Sequence, residues 1–279
     1  ASGRGRPRAQ RVILGASPGG ERIQGVLFDY GLTLVTFVRP QAELQRAYAE
    51  VSARLDSAGV RPVPSPAALL RRVHDRIEGQ VARHEDAGRL DELEIVTLER
   101  NAYARLGAQL SDELLDEVTE RVQRAWWAGI TVPASTVPVL ETLRAQGLRV
   151  GLCSNAPYRF MHDQLRHLGL DSLFDSVTFS REVGRRKPAP EIFATALRDL
   201  GVEAGRCVMV GDRRREDVAG GRAVGMLTIR VREHRDDSGP GDADHVIDRL
   251  CDLPDLVSSG HGSDKRGSVD DNGKTPGSR

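Results

Sequence analysis

Short, uninterrupted apolar runs alternate with stretches of helical spacing along much of the chain. Residues 25–28, Gly-Val-Leu-Phe, form a compact apolar run that stops at Asp29. Further runs follow at 148–153, 206–210 and 226–231, the first of these ending at Ser154-Asn155 and the second at Gly211-Asp212. Apolar runs this short, without polar alternation, predict strands buried on both faces, the pattern of a parallel sheet covered by helices. Between them, 137–147 and 190–201 carry helical spacing, and each closes on a glycine suited to a left-handed cap. The expected fold class is α/β, with a Rossmann-like, doubly wound parallel sheet.

Residues 40–130 read differently. Leu114, Leu115, Val118, Val122 and Trp126 recur at helical intervals, charged residues fill the positions between, and strand signal is almost absent. Ser111 before Asp112-Glu113 is a suitable N-cap for the last long helix of this stretch. The organisation expected is an α/β core over 22–38 and 132–257, with an all-helical cap domain over 39–131 inserted after the first strand. A flexible arm over 1–21, rich in Arg, Gly, Pro and Ser, and a disordered tail over 258–279, nearly devoid of apolar residues, flank it.

Composition narrows the class. The 279 residues are 39% hydrophobic with zero formal net charge, which argues against bulk attraction to nucleic acid or anionic lipid. The Arg-rich start lacks interleaved aromatics, so no nucleic-acid contact is expected from it. No apolar stretch reaches membrane-spanning length, and no signal-like run follows the basic N-terminus, so a cytoplasmic protein is expected. The three cysteines lack metal-ligand spacing. Of 40 basic residues only three are Lys, and Lys187 is the one within the folded part. Oligomeric state leaves no trace in the sequence.

In open parallel sheets, ligands bind beyond the carboxyl ends of the strands. Those ends carry Asp29, Ser154 and Asp212, with Asp217 on the turn after Asp212 and Lys187 between the second and third strands. Carboxylates, a hydroxyl and a Lys converging there suit a phosphate group and a hard cation such as Mg2+.

The order Asp29, Ser154, Lys187, Asp212-x4-Asp217 resembles the four motifs of the haloacid dehalogenase-like superfamily over roughly residues 22–257. The matching segments are Phe28-Asp29-Tyr30-Gly31-Leu32-Thr33, Leu152-Cys153-Ser154-Asn155, Lys187-Pro188 and Gly211-Asp212 through Asp217. The resemblance implies a hydrolase acting on a small phosphorylated molecule. Asp29 would be the nucleophile that takes up a phosphoryl group, and Lys187 would neutralise charge beside it. Thr33, Ser154 and Asn155 would contact substrate. Asp29, Asp212, Asp217 and the backbone carbonyl of Gly31 would surround Mg2+.

Gly31 departs from the family's phosphatase pattern, in which the residue two after the nucleophile is an acid–base Asp. Such help is typically worth about 10²–10⁴ in rate. Three readings follow: a substrate with a good leaving group, a proton supplied by the cap (His74, Glu78, His84 and Glu85 are candidates), or a catalytically impaired binding or regulatory protein. A 2-haloacid dehalogenase-type hydrolase, which attacks carbon without a metal, is the alternative chemistry, although it has little use for Asp212 and Asp217. A Schiff-base phosphonatase is disfavoured because 40–130 contains no Lys. The hinges of the cap are expected at 34–40 and 128–136. Trp126 and Trp127 beside the second hinge would pack between cap and core or line the cleft.

Overall fold

A computed structural model describes residues 22–237 and 241–257; the expected arm at 1–21 and tail at 258–279 lie outside them. The chain opens with β1 (Gly25–Phe28), whose four residues are all buried, followed by the short β2 (Thr36–Phe37). Helices α1 (Gln41–Ser57), α2 (Pro66–Leu69), α3 (Asp75–Asp86), α4 (Ile95–Ala104) and α5 (Asp112–Trp127) come next. A π-helical turn, Leu70–His74, joins α2 to α3. Ser111 caps α5 by accepting from the Leu114 amide.

After β3 (Ile130–Thr131) the chain alternates: α6 (Thr136–Ala145), β4 (Arg149–Ser154), α7 (Met161–His167), β5 (Ser176–Phe179), α8 (Ser180–Val183) and α9 (Pro190–Leu200). It finishes with β6 (Cys207–Gly211), α10 (Gly220–Ala223), β7 (Leu227–Val231), β8 (His245–Ile247) and α11 (Leu253–Val257).

Six strands form one parallel sheet in the order β5-β4-β1-β6-β7-β8. Alternation along the strands divides the core into two layers. Val26, Phe28, Val150, Leu152, Val208 and Val210 pack with Val139, Leu140 and Leu143 of α6. Leu27, Cys153 and Met209 point the other way, onto Ile192, Phe193, Ala196 and Leu200 of α9. Every strand of the central trio is thus apolar on both faces, which is why each reads as a continuous run. Strands β5 and β8 gave no such run. The first is a four-residue segment with two half-buried positions, and the second is a three-residue edge strand.

The sheet changes winding direction at β1: the chain builds outward through β4 and β5, then returns to the other side of β1 with β6. That switch opens a crevice at the carboxyl ends of β4, β1 and β6. Helices α1 to α5 pack around their own apolar cluster, including Leu44, Val51, Leu55, Leu69, Leu115 and Val118. They connect to the sheet through an antiparallel pair, Thr36 opposite Thr131 and Phe37 opposite Ile130.

A second tie runs between the α3–α4 connection and the segment before Lys187. The Glu92 amide donates to the Gly184 carbonyl at 3.1 Å and the Arg186 amide to the Leu90 carbonyl at 2.8 Å. Arg186, 2% exposed, pairs with Glu85 at 2.5 Å and Glu92 at 2.8 Å. Glu92 also accepts from the Ser180 hydroxyl.

Candidate active site

Register places the reactive groups side by side. Phe28 lies opposite Leu152 on β4 and Val210 on β6, so Asp29 emerges level with Cys153 and Gly211. Its amide donates to the Val210 carbonyl at 2.8 Å, fixing the start of the loop. The loop then turns sharply. Leu32 adopts a left-handed φ of 60°, and its amide donates to the Val35 carbonyl at 2.7 Å. This conformation costs a non-glycine residue about 1–2 kcal/mol. It returns Leu34 and Val35 to the core while leaving Tyr30, Gly31 and Leu32 on the crevice.

Lys187 sits at the centre of the site with a side chain only 1% exposed. Its Nζ donates to Asp29 Oδ1 at 2.7 Å, Asp217 Oδ1 at 2.6 Å and the Cys153 carbonyl at 2.7 Å, which uses all three hydrogens. Burial by itself would lower its pKa; the Asp217 and Asp29 carboxylates outweigh burial and raise it above the ordinary range. The ammonium therefore stays charged. Ser154 Oγ also donates to Asp29 Oδ1, at 3.1 Å. Among the described residues, Asp29 Oδ2 receives no hydrogen bond.

Asn155 brackets the Lys187 backbone: its Oδ1 accepts from the Lys187 amide at 2.7 Å, and its Nδ2 donates to the Lys187 carbonyl at 3.1 Å. It lines the crevice, but its amide is largely committed to positioning the Lys. Asp217 is held from two sides, by Lys187 and by the Arg213 amide at 2.9 Å to Oδ2. Gly211 makes this approach feasible, because a Cβ there would lie 2.2 Å from Asp217 Oδ2.

Asp212 is the exception. It is 1% exposed, yet neither carboxylate oxygen has a hydrogen-bond partner among the described residues. The cation beside it is Arg235, with Nε 3.3 Å from Oδ2. Oxygens of Asp29, Asp212 and Asp217 lie within 4.8 Å of one another. Burial, then the charges of Asp29 and Asp217, push the Asp212 pKa upward; burial and Asp29 do the same to Asp217, against the pull of Lys187. Three carboxylates around one Lys, with one of them lacking donors, fit an additional hard cation.

Saturating Mg2+ should therefore raise the melting temperature of the wild-type protein by roughly 5–10 °C at 100-fold excess over Kd. Asp212→Asn should lose that shift and, without Mg2+, melt no lower than wild type. A variant that melts well below metal-free wild type would show that Asp212 is already satisfied.

Residues 23–225 match the haloacid dehalogenase-like hydrolase family. The chain belongs to that family. It is 32% identical over 158 residues to a glyceraldehyde 3-phosphate phosphatase of Methanopyrus kandleri, covering 55% of this chain and 68% of that protein. Other curated relatives are matched over between 39% and 62% of their own length. A HAD phosphatase structure from Thermococcus onnurineus superposes with a TM-score of 0.56 at 25% identity, covering 85% of this chain and 99% of that one. A 2-haloacid dehalogenase structure from Pseudomonas syringae shares the fold, with a TM-score of 0.61 at 23% identity over 84% of this chain and 98% of that one.

Between the sheet and the helices of this haloacid dehalogenase-like hydrolase lies a cavity of about 450 Å³. Asp29, Gly31, Ser154, Asn155, Lys187 and Asp217 line it. Thr33 does not. It is 1% exposed, and its Oγ1 has no hydrogen-bond partner among the described residues. Of the helical acid–base candidates, His74, Glu78 and Glu85 reach the cavity. His84 is not among its lining residues, and its Nε2 lies 2.6 Å from the Asp91 carbonyl. Burial, then Arg39, lowers the His74 pKa to about 4, and its Nε2 accepts from Trp126 Nε1 at 3.2 Å; it is a neutral ring. Glu85 is tied to Arg186. Glu78 accepts from the Tyr158 hydroxyl at 2.7 Å and is pushed upward by burial. Trp126 lines the cavity, whereas Trp127 packs on His167 with ring centroids 5.0 Å apart.

The sequence reading passed over Phe37, Glu99, Arg213 and Arg235, all of which line the cavity. Arg213 follows a strand-end Asp and could have been flagged on that ground; the other three had no local signal. Glu99 is 8% exposed, and burial raises its pKa to about 7 against the attraction of Arg159. Between about pH 4.5 and 7 the native carboxyl keeps a proton that the unfolded chain has lost, so its contribution makes stability fall as pH rises through that window. Glu99→Gln should remove about 3 kcal/mol of that decline. Urea midpoints at pH 4.5 and 7.5 provide the check, and an unchanged pH slope would refute it.

Proposed function

We propose that this hydrolase is a Mg2+-dependent phosphoric monoester hydrolase acting on a small phosphorylated molecule through an aspartyl-phosphate on Asp29. The observation that carries the reading is the buried, donor-less Asp212 carboxylate beside Asp29. Asp29 Oδ2, the oxygen without a protein donor, attacks phosphorus as the bond to the leaving oxygen breaks. Lys187 and Ser154 hold Oδ1 and so fix the direction of attack, while the Lys187 charge stabilises the growing negative charge. Water then attacks the phosphoryl group, releasing phosphate and restoring Asp29. Asp29, Asp212 and the Gly31 carbonyl would hold Mg2+, with Asp217 completing the acidic set from the Lys187 side. When bound, the ion supplies positive charge to the phosphoryl oxygens.

The leaving oxygen departs without a carboxylic acid at position 31. A Cβ on Gly31 would lie 2.9 Å from Cε2 of Phe37, so that ring borders the space an acid would need. Acyl and aryl phosphates, whose leaving groups need little protonation, are the favoured substrates. Gly31→Asp combined with Phe37→Ala should raise kcat/KM on an alkyl phosphate by about 10–100-fold, within the usual range for acid–base help. Gly31→Asp alone should gain less, because the ring must move. Equal, unchanged activity in both variants would count against this account of residue 31.

The deciding assay is hydrolysis of phenyl phosphate and acetyl phosphate with Mg2+ and with EDTA. Turnover abolished by EDTA supports the proposal. The absence of an acid at Gly31 also suits displacement at carbon, as in a 2-haloacid dehalogenase. Halide release from 2-chloropropionate that persists in EDTA would establish that reading instead.

A further inference from the structure

Hydrocarbon makes up most of the cavity wall away from Lys187. Tyr48, Val73, Ile77, Ile95, Tyr103 and Val122, from four of the five helices and the π-helical turn, all line it and are all at least nine-tenths buried. The cations of the cavity are concentrated at the sheet end, beside acidic partners. Lys187 has its three acceptors, Arg213 lies 3.6 Å from Glu85 and 3.7 Å from Glu216, and Arg235 pairs with Asp212. The helices contribute no Lys or Arg to the lining; their polar groups there include the neutral His74, the carboxyls of Glu78, Glu85 and Glu99, and the uncharged side chains of Tyr48, Tyr103, Thr119 and Gln123. Trp126 Nε1 is spent on His74, the Tyr158 hydroxyl on Glu78, and Gln123 Oε1 on the Phe160 amide at 3.2 Å, while the Thr119 hydroxyl, also on the lining, has no hydrogen-bond partner among the described residues.

A second phosphate or a carboxylate in the substrate would find no Lys or Arg on that helical wall, and the hydroxyls of a short polyol would lose water with few partners in exchange. A hydrocarbon body would lose nothing and would displace water from apolar walls. Resting on the phosphoryl-hydrolase reading above, we propose that this cavity selects monophosphates whose organic part is a bulky, predominantly hydrocarbon body. Aryl and branched acyl groups fit it; bisphosphates, phosphorylated carboxylic acids and small sugar phosphates do not.

A series of 4-alkylphenyl phosphates tests this, because the leaving phenol barely changes while hydrocarbon is added remotely. With Mg2+, kcat/KM should rise roughly fourfold per methylene over the first few carbons, the increment expected for burial of a methylene. It should also exceed that for glycerol 3-phosphate and fructose 1,6-bisphosphate at every length. A flat or falling series, or faster turnover of the polyol phosphates, overturns the proposal while leaving the phosphatase reading intact. Calorimetric binding of the same series to Asp29→Asn protein needs no turnover. Length-dependent affinity there without turnover in wild type would mean that the cavity is assigned correctly and the chemistry is not. Val122→Trp should flatten the length dependence in either assay. An undiminished gain per methylene in that folded variant would place the hydrocarbon elsewhere and overturn the proposal.

Discussion

Asp29→Asn should release no phosphate from phenyl phosphate above background, a loss on the order of 10⁴-fold or more, as for removal of other covalent nucleophiles. The amide is nearly isosteric and can still accept from Ser154 and Lys187 through its oxygen, so the arrangement of the site is preserved. What it lacks is the anionic oxygen proposed to bond to phosphorus. The fold should not suffer, because Lys187 keeps Asp217 and the Cys153 carbonyl as acceptors and one charge leaves an acid-rich centre. Brief incubation of wild type with labelled acetyl phosphate should leave acid-stable, hydroxylamine-labile label on the protein, and the variant should carry none. Labelling of the variant at wild-type level would remove Asp29 from the chemistry altogether.

Lys187→Met is expected to damage stability as well as catalysis. The residue is fully enclosed and bonded to two carboxylates and a carbonyl, so its loss leaves Asp29 and Asp217 buried without their shared cation. Breaking a buried ion pair by removing one partner typically costs about 3–5 kcal/mol. For a domain of this size that corresponds to a fall in Tm of roughly 6–20 °C. The sign with pH is fixed: without the Lys, the stranded carboxylates bind protons more tightly in the native state, so the deficit should shrink as pH falls towards 5. Thermal melts at pH 5 and pH 7.5 test both parts. A variant as stable as wild type at pH 7.5 would show that another group already balances these acids.

The groups that stand out in the sequence are those whose role follows from position on a strand. Asp29, Ser154 and Asp212 each end a continuous apolar run, and the parallel register brings such ends together without further information. Lys187 was conspicuous because 37 of the 40 basic residues are Arg. The same bias hid Arg235 and Arg186, since one more Arg in this chain carries no message. Phe37 and Glu99 depend on how the helices lie over the sheet, a relation with no local pattern. Thr33 shows the converse. Its place in the motif implied substrate contact; it lies buried after the turn at Leu32 and is not among the residues that line the cavity. Asn155 reaches the cavity and uses its amide on the Lys187 backbone.

Arg186 and Lys187 are chain neighbours with opposite allegiances. One grips Glu85 and Glu92 of the helical layer, and the other grips Asp29 and Asp217 at the sheet. Any lifting of the helices would be transmitted to the peptide that carries the ammonium. The grip on the helical layer and the grip on Asp29 thus share a single peptide unit, so neither can be loosened without strain on the other.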